Sequence, residues 1–190
     1  MSELEILIER YERSTPSIRR RGRTWYPETN RRLTLMAQET GRSPAQAVAV
    51  FAITSMNTQL LSNFRLTEQV LKGERNFGCY PTFQTPLIMA ALASRYPGRF
   101  VRGPKCTAFY KAIMGDTNAL VLDRWAARAA GWDVRTFNMT TRRILDAAYR
   151  EAARLCGETV RAFQAIAWTH VRESTATKRG YVPRLADVTR

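Results

Sequence analysis

Apolar residues recur at helical spacing along most of the chain, and no segment shows the strict alternation of a half-buried strand. Residues 2–13 are predicted to form a short amphipathic helix. Ser43 and Pro44 read as an N-cap followed by proline at the first helical position, and they open an almost wholly apolar helix from Ala45 to Ile53. A helix that is apolar on every side is expected at the buried centre of a domain. The pattern predicts an all-α protein, a bundle of about eight helices.

The remaining pattern divides the chain into three parts. Residues 1–26 are predicted to hold the first helix and a basic linker or arm, 14–26, which contains Arg19-Arg20-Arg21-Gly22-Arg23. Residues 27–173 are predicted to form the helical domain, and the polar, basic residues 174–190 a loosely held tail. Within the domain we expect a loop at 73–83 and helices after Pro27 and at 60–71, 84–94, 104–114, 117–130, 140–155 and 159–172.

Charge is the feature of composition that departs most from the average. The 190 residues include 30 Lys+Arg against 16 Asp+Glu, a formal net charge of +14. An excess of this size on a small domain favours a polyanionic partner, most commonly nucleic acid. The alternative is a basic protein from a GC-rich genome, with arginine in place of lysine on a solvated surface.

Three scattered cysteines and one histidine exclude several kinds of site. No Cys-x-x-Cys or Cys/His spacing is present, so neither a metal site nor an iron–sulfur cluster is expected, and no cofactor is predicted. A hydrolase with a histidine base would depend on His170 alone, without a nucleophile elbow. The unpaired cysteines, the acidic N-terminus and the lack of a long apolar run predict a cytoplasmic protein with no membrane partner.

A possible active site lies between Gly103 and Arg128. Gly103-Pro104 leads into a helix that carries Lys105, one of the chain's few lysines, and a second turn leads to Asp123. A lysine amine can form a covalent imine, and a carboxylate can assist the departure of a leaving group. The alternative interpretations are a solvated surface lysine and a helix-terminal aspartate paired with Arg128.

This stretch resembles the core of the helix–hairpin–helix (HhH-GPD) DNA glycosylase superfamily. Its lyase-type members carry Gly-x-Lys-Thr-Ala at the end of the hairpin, then a helix, a Phe-Gly turn, and Val-Asp-Thr-His-x-x-Arg. The corresponding residues here are Gly103-Pro104-Lys105-Cys106-Thr107-Ala108, Gly115, and Leu122-Asp123-Arg124-Trp125-Ala126-Ala127-Arg128. The spacings from lysine to aspartate and from aspartate to arginine both fit. The resemblance predicts the fold of this superfamily, with a helix–hairpin–helix-like turn near 98–105.

Other segments extend the resemblance over roughly residues 44–170. Residues 51–58 resemble the family's Leu-Ser-x-Gln-Thr segment, which ends a buried helix and reaches into the duplex, and Asn63 matches an asparagine often found after it. Residues 152–157 and 164–168 resemble the closing helices of phage-encoded relatives. The chain departs from the pattern in three places: Arg99-Phe100-Val101 replaces Leu-Pro-Gly, Asn57 replaces glutamine, and Arg124-Trp125 replaces Thr-His.

The resemblance implies a role for each matching residue. Lys105 would attack C1′ of a flipped nucleotide, and Asp123 would stabilise the sugar cation or deprotonate the amine. The residues predicted to bind DNA within the stretch 44–170 are Asn57, Arg99, Arg102, Gly103, Arg124 and Arg128. Arg20 and Arg21 are added on the basis of the charge run at 19–23, which would lie in a minor groove or along phosphates, with a disordered, solvated tail as the alternative. The residues predicted to line the pocket are Ser55, Tyr110, Trp125 and Trp168, although the two tryptophans also fit a core role.

Three functions follow as hypotheses. The first is an enzyme that flips a base out of double-stranded DNA and performs glycosylase/lyase-like chemistry through Lys105 and Asp123. The second is a phage DNA hypermodification transferase of the same superfamily, which moves an amino acid or polyamine onto activated thymine; its location would be the host cytoplasm. The third is a non-catalytic DNA-binding module. The sequence does not determine the target base. It does not determine the oligomeric state either, and a homo-oligomer is one of the alternatives.

Overall fold

A computed structural model describes residues 1–56, 58–74, 84–132 and 138–177. These residues form nine α-helices and one 3₁₀ helix, and none of them lies in a strand, which confirms the all-α prediction. The superfamily type of the fold stays a prediction. The α-helices are α1 Glu3–Glu12, α2 Pro16–Glu39, α3 Pro44–Thr54, α4 Leu60–Leu71, α5 Thr85–Ala93, α6 Pro104–Ile113, α7 Arg124–Ala129, α8 Met139–Leu155 and α9 Val160–Thr177. The 3₁₀ helix, Pro97–Phe100, lies between α5 and α6.

Helix α3 begins and packs as its sequence predicts. The Ser43 hydroxyl accepts from the Gln46 backbone N–H at 3.2 Å, and the Gln46 side chain accepts from the Ser43 N–H at 2.9 Å. This reciprocal capping box satisfies two N–H groups that the helix leaves without partners. Residues 47–54 are all buried, so the prediction of a buried central helix is confirmed.

The predicted basic arm is helical, because residues 16–26 form the first part of α2. Gly22 allows this part of the helix to approach α9 closely: a Cβ at this position would lie 2.4 Å from Ile166 Cγ1. Arg21 and Arg23 pair with Glu173 and Glu158 at 2.5 and 2.6 Å. Residues 16–26 are thus helical rather than a linker, and the carboxylates that pair with Arg21 and Arg23 come from distant parts of the sequence.

Two other predicted boundaries also differ. The predicted helix 117–130 begins only at Arg124. The Asp116 side chain accepts from the Asn118 backbone N–H at 2.9 Å, a local bond that competes with helix formation. Helix α9 continues to Thr177 and so includes 174–177 of the predicted tail; residues 178–190 and most of the predicted loop, 75–83, lie outside the described residues.

The chain divides into two compact units. Unit 1 comprises Met1–Tyr26 and Asp116–Arg190, and unit 2 comprises Pro27–Gly115. In unit 1, α1 and α7 pack on α8 and α9 around a core that includes Leu7, Tyr149 and Phe163. In unit 2, α4, α5 and α6 pack around α3, and Phe51 lies 4.6 Å from Phe64 between ring centroids. The domain limits inferred from the sequence stay a prediction.

Candidate functional site

The turn before α6 has a backbone that favours glycine. Gly103 has φ +82°, a backbone conformation that residues with a side chain adopt only with strain. Pro104 follows at the first helical position, where a backbone N–H would have no partner within the helix, so its absence does not weaken the helix. The Thr107 hydroxyl donates to the Val101 carbonyl at 3.3 Å, and the Thr107 backbone N–H donates to the Gly103 carbonyl at 3.0 Å. These bonds hold the backbone of the turn in place and so set the direction in which the Lys105 side chain extends from α6.

Lys105 connects the start of α6 with the end of α3. Its Nζ donates to the backbone carbonyl of Ser55 at 3.1 Å, across 50 residues of sequence. Ser55 is the C-cap of α3, where carbonyl groups lack helical partners and a cation is favoured. Within unit 2, the structure therefore joins two of the motifs that the sequence placed far apart, and Lys105 itself is half-buried.

Cys106 is a buried thiol beside this contact. Burial raises its pKa, while the charge of Lys105 and a hydrogen bond with Ser55 act in the opposite direction. Because the net shift is upward, Cys106 stays a protonated thiol at neutral pH, which is not the state of a reactive nucleophile.

The predicted phosphate-binding turn exposes its cations. Arg102 is exposed, and the exposed Arg99 guanidinium lies 4.9 Å from the centroid of the Tyr96 ring. Tyr110 packs under the same turn, where a Cβ on Gly98 would lie 2.7 Å from its Cε1, and burial raises the pKa of this tyrosine. Tyr110 therefore supports the turn; its pocket role stays a prediction.

In unit 1, Asp123 caps α7. One carboxylate oxygen, Oδ1, accepts from the backbone N–H groups of Trp125 and Ala126, both at 2.9 Å. Burial, followed by the charge of Asp123, raises the pKa values of Tyr26 and Tyr149, so both phenols stay protonated. The carboxylate thus has a structural role at the place where the sequence predicted a chemical one.

Trp125 and Trp168 are half-buried and lie near guanidinium groups. Arg128 lies 4.9 Å from the Trp125 ring centroid, and Arg172 lies 5.8 Å from Trp125 and 4.8 Å from Trp168. Sequence analysis missed Arg172, although its i,i+4 spacing from Trp168 on a helix was a usable signal.

The other predicted DNA-binding residues are dispersed. Arg20 and Arg124 are exposed on unit 1, and Arg21 is engaged by Glu173 and donates to the Ser17 hydroxyl at 2.7 Å. Asn57 lies outside the described residues. Lys105 belongs to unit 2 and Asp123 to unit 1.

The family model that matches this chain is "Family of unknown function (DUF7178)", over residues 4–175. The chain belongs to this family. No curated protein and no solved structure matches it. The resemblance to the HhH-GPD superfamily therefore depends on sequence motifs, chiefly those at 103–128 and 51–58.

Within the described residues, the chain shows neither a metal cluster nor a membrane-spanning helix. No three His, Cys, Asp or Glu residues there are grouped as a metal ion would require. No helix there has both the length and the apolar character to cross a bilayer.

Proposed function

We propose that this DUF7178 protein acts on DNA and that Lys105 supplies an amine which forms a covalent imine with the sugar. The observation that carries the proposal is the Lys105–Ser55 hydrogen bond of 3.1 Å. It brings the lysine of the Gly-x-Lys motif to the end of α3, where the segment predicted to reach into the duplex begins.

Charge and backbone geometry support a nucleic-acid partner. The net charge of +14 attracts a polyanion, and Arg99 and Arg102 are exposed in the turn that leads into α6. Phosphate contacts from arginines and from a helix N-terminus position a protein on DNA without reading its sequence. The expected DNA binding is therefore largely independent of sequence.

The proposed chemistry needs only groups of the protein and the substrate. The Lys105 amine adds to C1′ of a nucleotide turned out of the duplex, the N-glycosidic bond breaks, and the departing base takes one of the two protons of the new ammonium group. The C1′–O4′ bond then breaks as the C1′–N double bond forms, and the second proton passes from nitrogen to O4′, which gives the imine and a ring-opened sugar. A role of Asp123 in stabilising positive charge on a sugar is proposed independently of Lys105.

A non-catalytic DNA-binding module is the second candidate, and a specific observation favours it. Lys105 donates to a helix-terminal carbonyl, and Asp123 accepts two backbone N–H bonds. Both residues therefore have roles in stability that need no substrate. Pure binding would survive replacement of both residues, whereas catalysis would not.

Borohydride trapping tests the proposed imine. Borohydride reduces an imine to a stable amine, so the protein should become covalently attached to duplex DNA that contains an abasic site. Lys105→Ala should abolish the adduct. Lys111→Ala is the matched control, because Lys111 is exposed on the same helix, and it should leave trapping unchanged. Trapping that persists in Lys105→Ala would show that the assignment is wrong.

Mass spectrometry of nucleosides separates the remaining reactions. DNA with modified and damaged bases is incubated with the protein, digested and surveyed. Release of a free base without a trapped adduct would indicate attack by water. An amino-acid or polyamine adduct on a base whose glycosidic bond is intact would favour the hypermodification transferase.

A further inference from the structure

Five side chains of unit 1 form a row in which guanidinium groups and aromatic rings adjoin. The row runs in the order Arg128, Trp125, Arg172, Trp168 and Trp25. Its successive separations are 4.9, 5.8 and 4.8 Å between guanidinium carbon and ring centroid, then 5.1 Å between the Trp168 and Trp25 centroids. Helices α2, α7 and α9 each contribute, so tertiary packing assembles the row. We call these five residues the Arg–Trp row.

In the described part of the chain, Arg128 and Arg172, the two cations of the row, are not paired with carboxylates, whereas several other arginines of unit 1 are. Arg21, Arg23, Arg150 and Arg154 each form an ion pair with a carboxylate. Within the described residues, neither Arg128 nor Arg172 forms a salt bridge or donates a side-chain hydrogen bond. Burial lowers the pKa of Arg172, and the charge of Asp123 acts in the opposite direction. Two guanidinium groups thus keep donors for an external anion.

An indole donor in the row also lacks an acceptor. Trp168 Nε1 is buried and has no hydrogen-bond partner among the described residues. By contrast, Trp132 Nε1, in the same unit, donates to Glu3 at 3.0 Å. Buried indole N–H groups usually have a partner, so this one calls for an explanation.

We propose that the Arg–Trp row is a binding site for an unpaired DNA strand. Guanidinium groups bind phosphates, and both indole and guanidinium planes stack on bases. Bases of an intact duplex are already stacked on each other, so a row of this composition favours a single strand. Arg128 is exposed and the Trp125, Arg172 and Trp168 side chains are half-buried, so a strand can reach the row without unfolding. This inference rests on the proposed action on DNA, but not on imine chemistry.

Tryptophan fluorescence tests the proposal. The chain has four tryptophans, so in a Trp132→Phe background the emission comes from Trp25, Trp125 and Trp168 alone. A short oligothymidylate should quench it, because a stacked base quenches an indole, while heparin should bind without comparable quenching because it carries charge but no bases. A double variant that combines Arg128→Gln and Arg172→Gln should bind oligothymidylate about tenfold more weakly and show less quenching. Arg143→Gln removes an exposed charge from α8, a helix that contributes no residue to the row, and should retain full quenching.

The outcomes separate this proposal from the proposed function. Helical circular dichroism and melting temperature establish that each variant is folded. Duplex binding without quenching by a single strand, or quenching unchanged in the Arg128/Arg172 variant, would overturn the strand site and leave the imine proposal standing. Quenching that depends on both arginines, without any adduct at Lys105, would support the strand site and count against the imine chemistry.

Discussion

Arg23 donates two hydrogen bonds to Oε1 of Glu158, at 2.6 and 2.9 Å, across 135 residues of sequence. The Tyr11 hydroxyl donates to the same oxygen at 2.9 Å. The Glu158 side chain is only 8% exposed, so this carboxylate joins α1 and α2 to the connection between α8 and α9 from a nearly buried position.

Loss of this carboxylate should destabilise the fold. Glu158→Ala leaves the Tyr11 hydroxyl and the Arg23 guanidinium without their shared acceptor, and we expect a loss of about 2 kcal/mol in the free energy of unfolding. Urea denaturation measures it. Glu151→Ala is the control: its pair with Arg154 is exposed, and such pairs contribute about 0.5 kcal/mol or less. Equal losses in the two variants would contradict the importance of the Glu158 network.

Gly22 should not tolerate a side chain, although alanine favours helices. In Gly22→Ala the new Cβ would meet Ile166 Cα at 2.6 Å and its backbone nitrogen at 2.7 Å, and these backbone atoms cannot rotate away. We expect a net loss of about 1–3 kcal/mol, larger than the helix-propensity gain of about 1 kcal/mol. Arg20→Ala, at an exposed position of the same helix, should change the free energy by about 0.5 kcal/mol or less. A stabilised Gly22→Ala would show that α2 and α9 are farther apart.

Asp123→Asn separates the capping role from a chemical role. Asparagine accepts the same two backbone N–H bonds but carries no charge, so fold and DNA affinity should persist. If Asp123 is catalytic, turnover should fall by about two orders of magnitude or more, the scale of a general acid–base group. Activity that stays within a few-fold would leave Asp123 as a helix cap.

Two companion variants complete the test of Asp123. Asp123→Ala should additionally lower the free energy of unfolding by about 1 kcal/mol, because α7 loses its cap. Asp116→Asn removes an exposed carboxylate that accepts from Asn118, outside α7, and should leave turnover unchanged.

DNA binding should weaken steeply with salt. If the protein neutralises about five phosphates, the logarithm of the binding constant should fall with the logarithm of salt concentration at a slope of about −4 to −5. Fluorescence anisotropy of labelled duplexes across a salt series measures this slope. Duplexes of unrelated sequence should give similar slopes and affinities, and a flat response would remove nucleic acid as the partner.

Acid should destabilise the fold through His170. Burial first, and then the charges of Arg10 and Arg13, lower its pKa, and its buried Nδ1 has no partner among the described residues. The folded state therefore binds the proton less well than the unfolded state, so stability should fall as pH drops through the unfolded value of about 6.5 toward the lower folded value. Urea midpoints across this range measure the effect. His170 is the only histidine, so His170→Gln should flatten the response; an equally steep fall in that variant would assign it to another group.

Local signals in the sequence determined the helices and their main boundaries. The Ser43-Pro44 start of α3, the end of α4 before Gly73 and the break between α8 and α9 at Gly157 depend on a cap, a proline and glycines, whose effects act within a few residues. The position of Lys105 near the start of α6 follows from the same local rules, whereas the predicted start of α7 lay at 117 and the helix begins at Arg124.

Tertiary structure decided what the arginines and the candidate residues contact. The charge run at 19–23 looks like a solvated arm until Glu158 and Glu173 are brought beside it. Likewise, the Lys105–Ser55 bond spans 50 residues, and the Arg–Trp row draws on three helices. Periodicity reports which face of a helix is apolar, but not which distant carboxylate, carbonyl or ring will meet that face. Those partners depend on how the helices pack, because hydrophobic burial is non-directional and ionic contacts are decided only once the chain has folded.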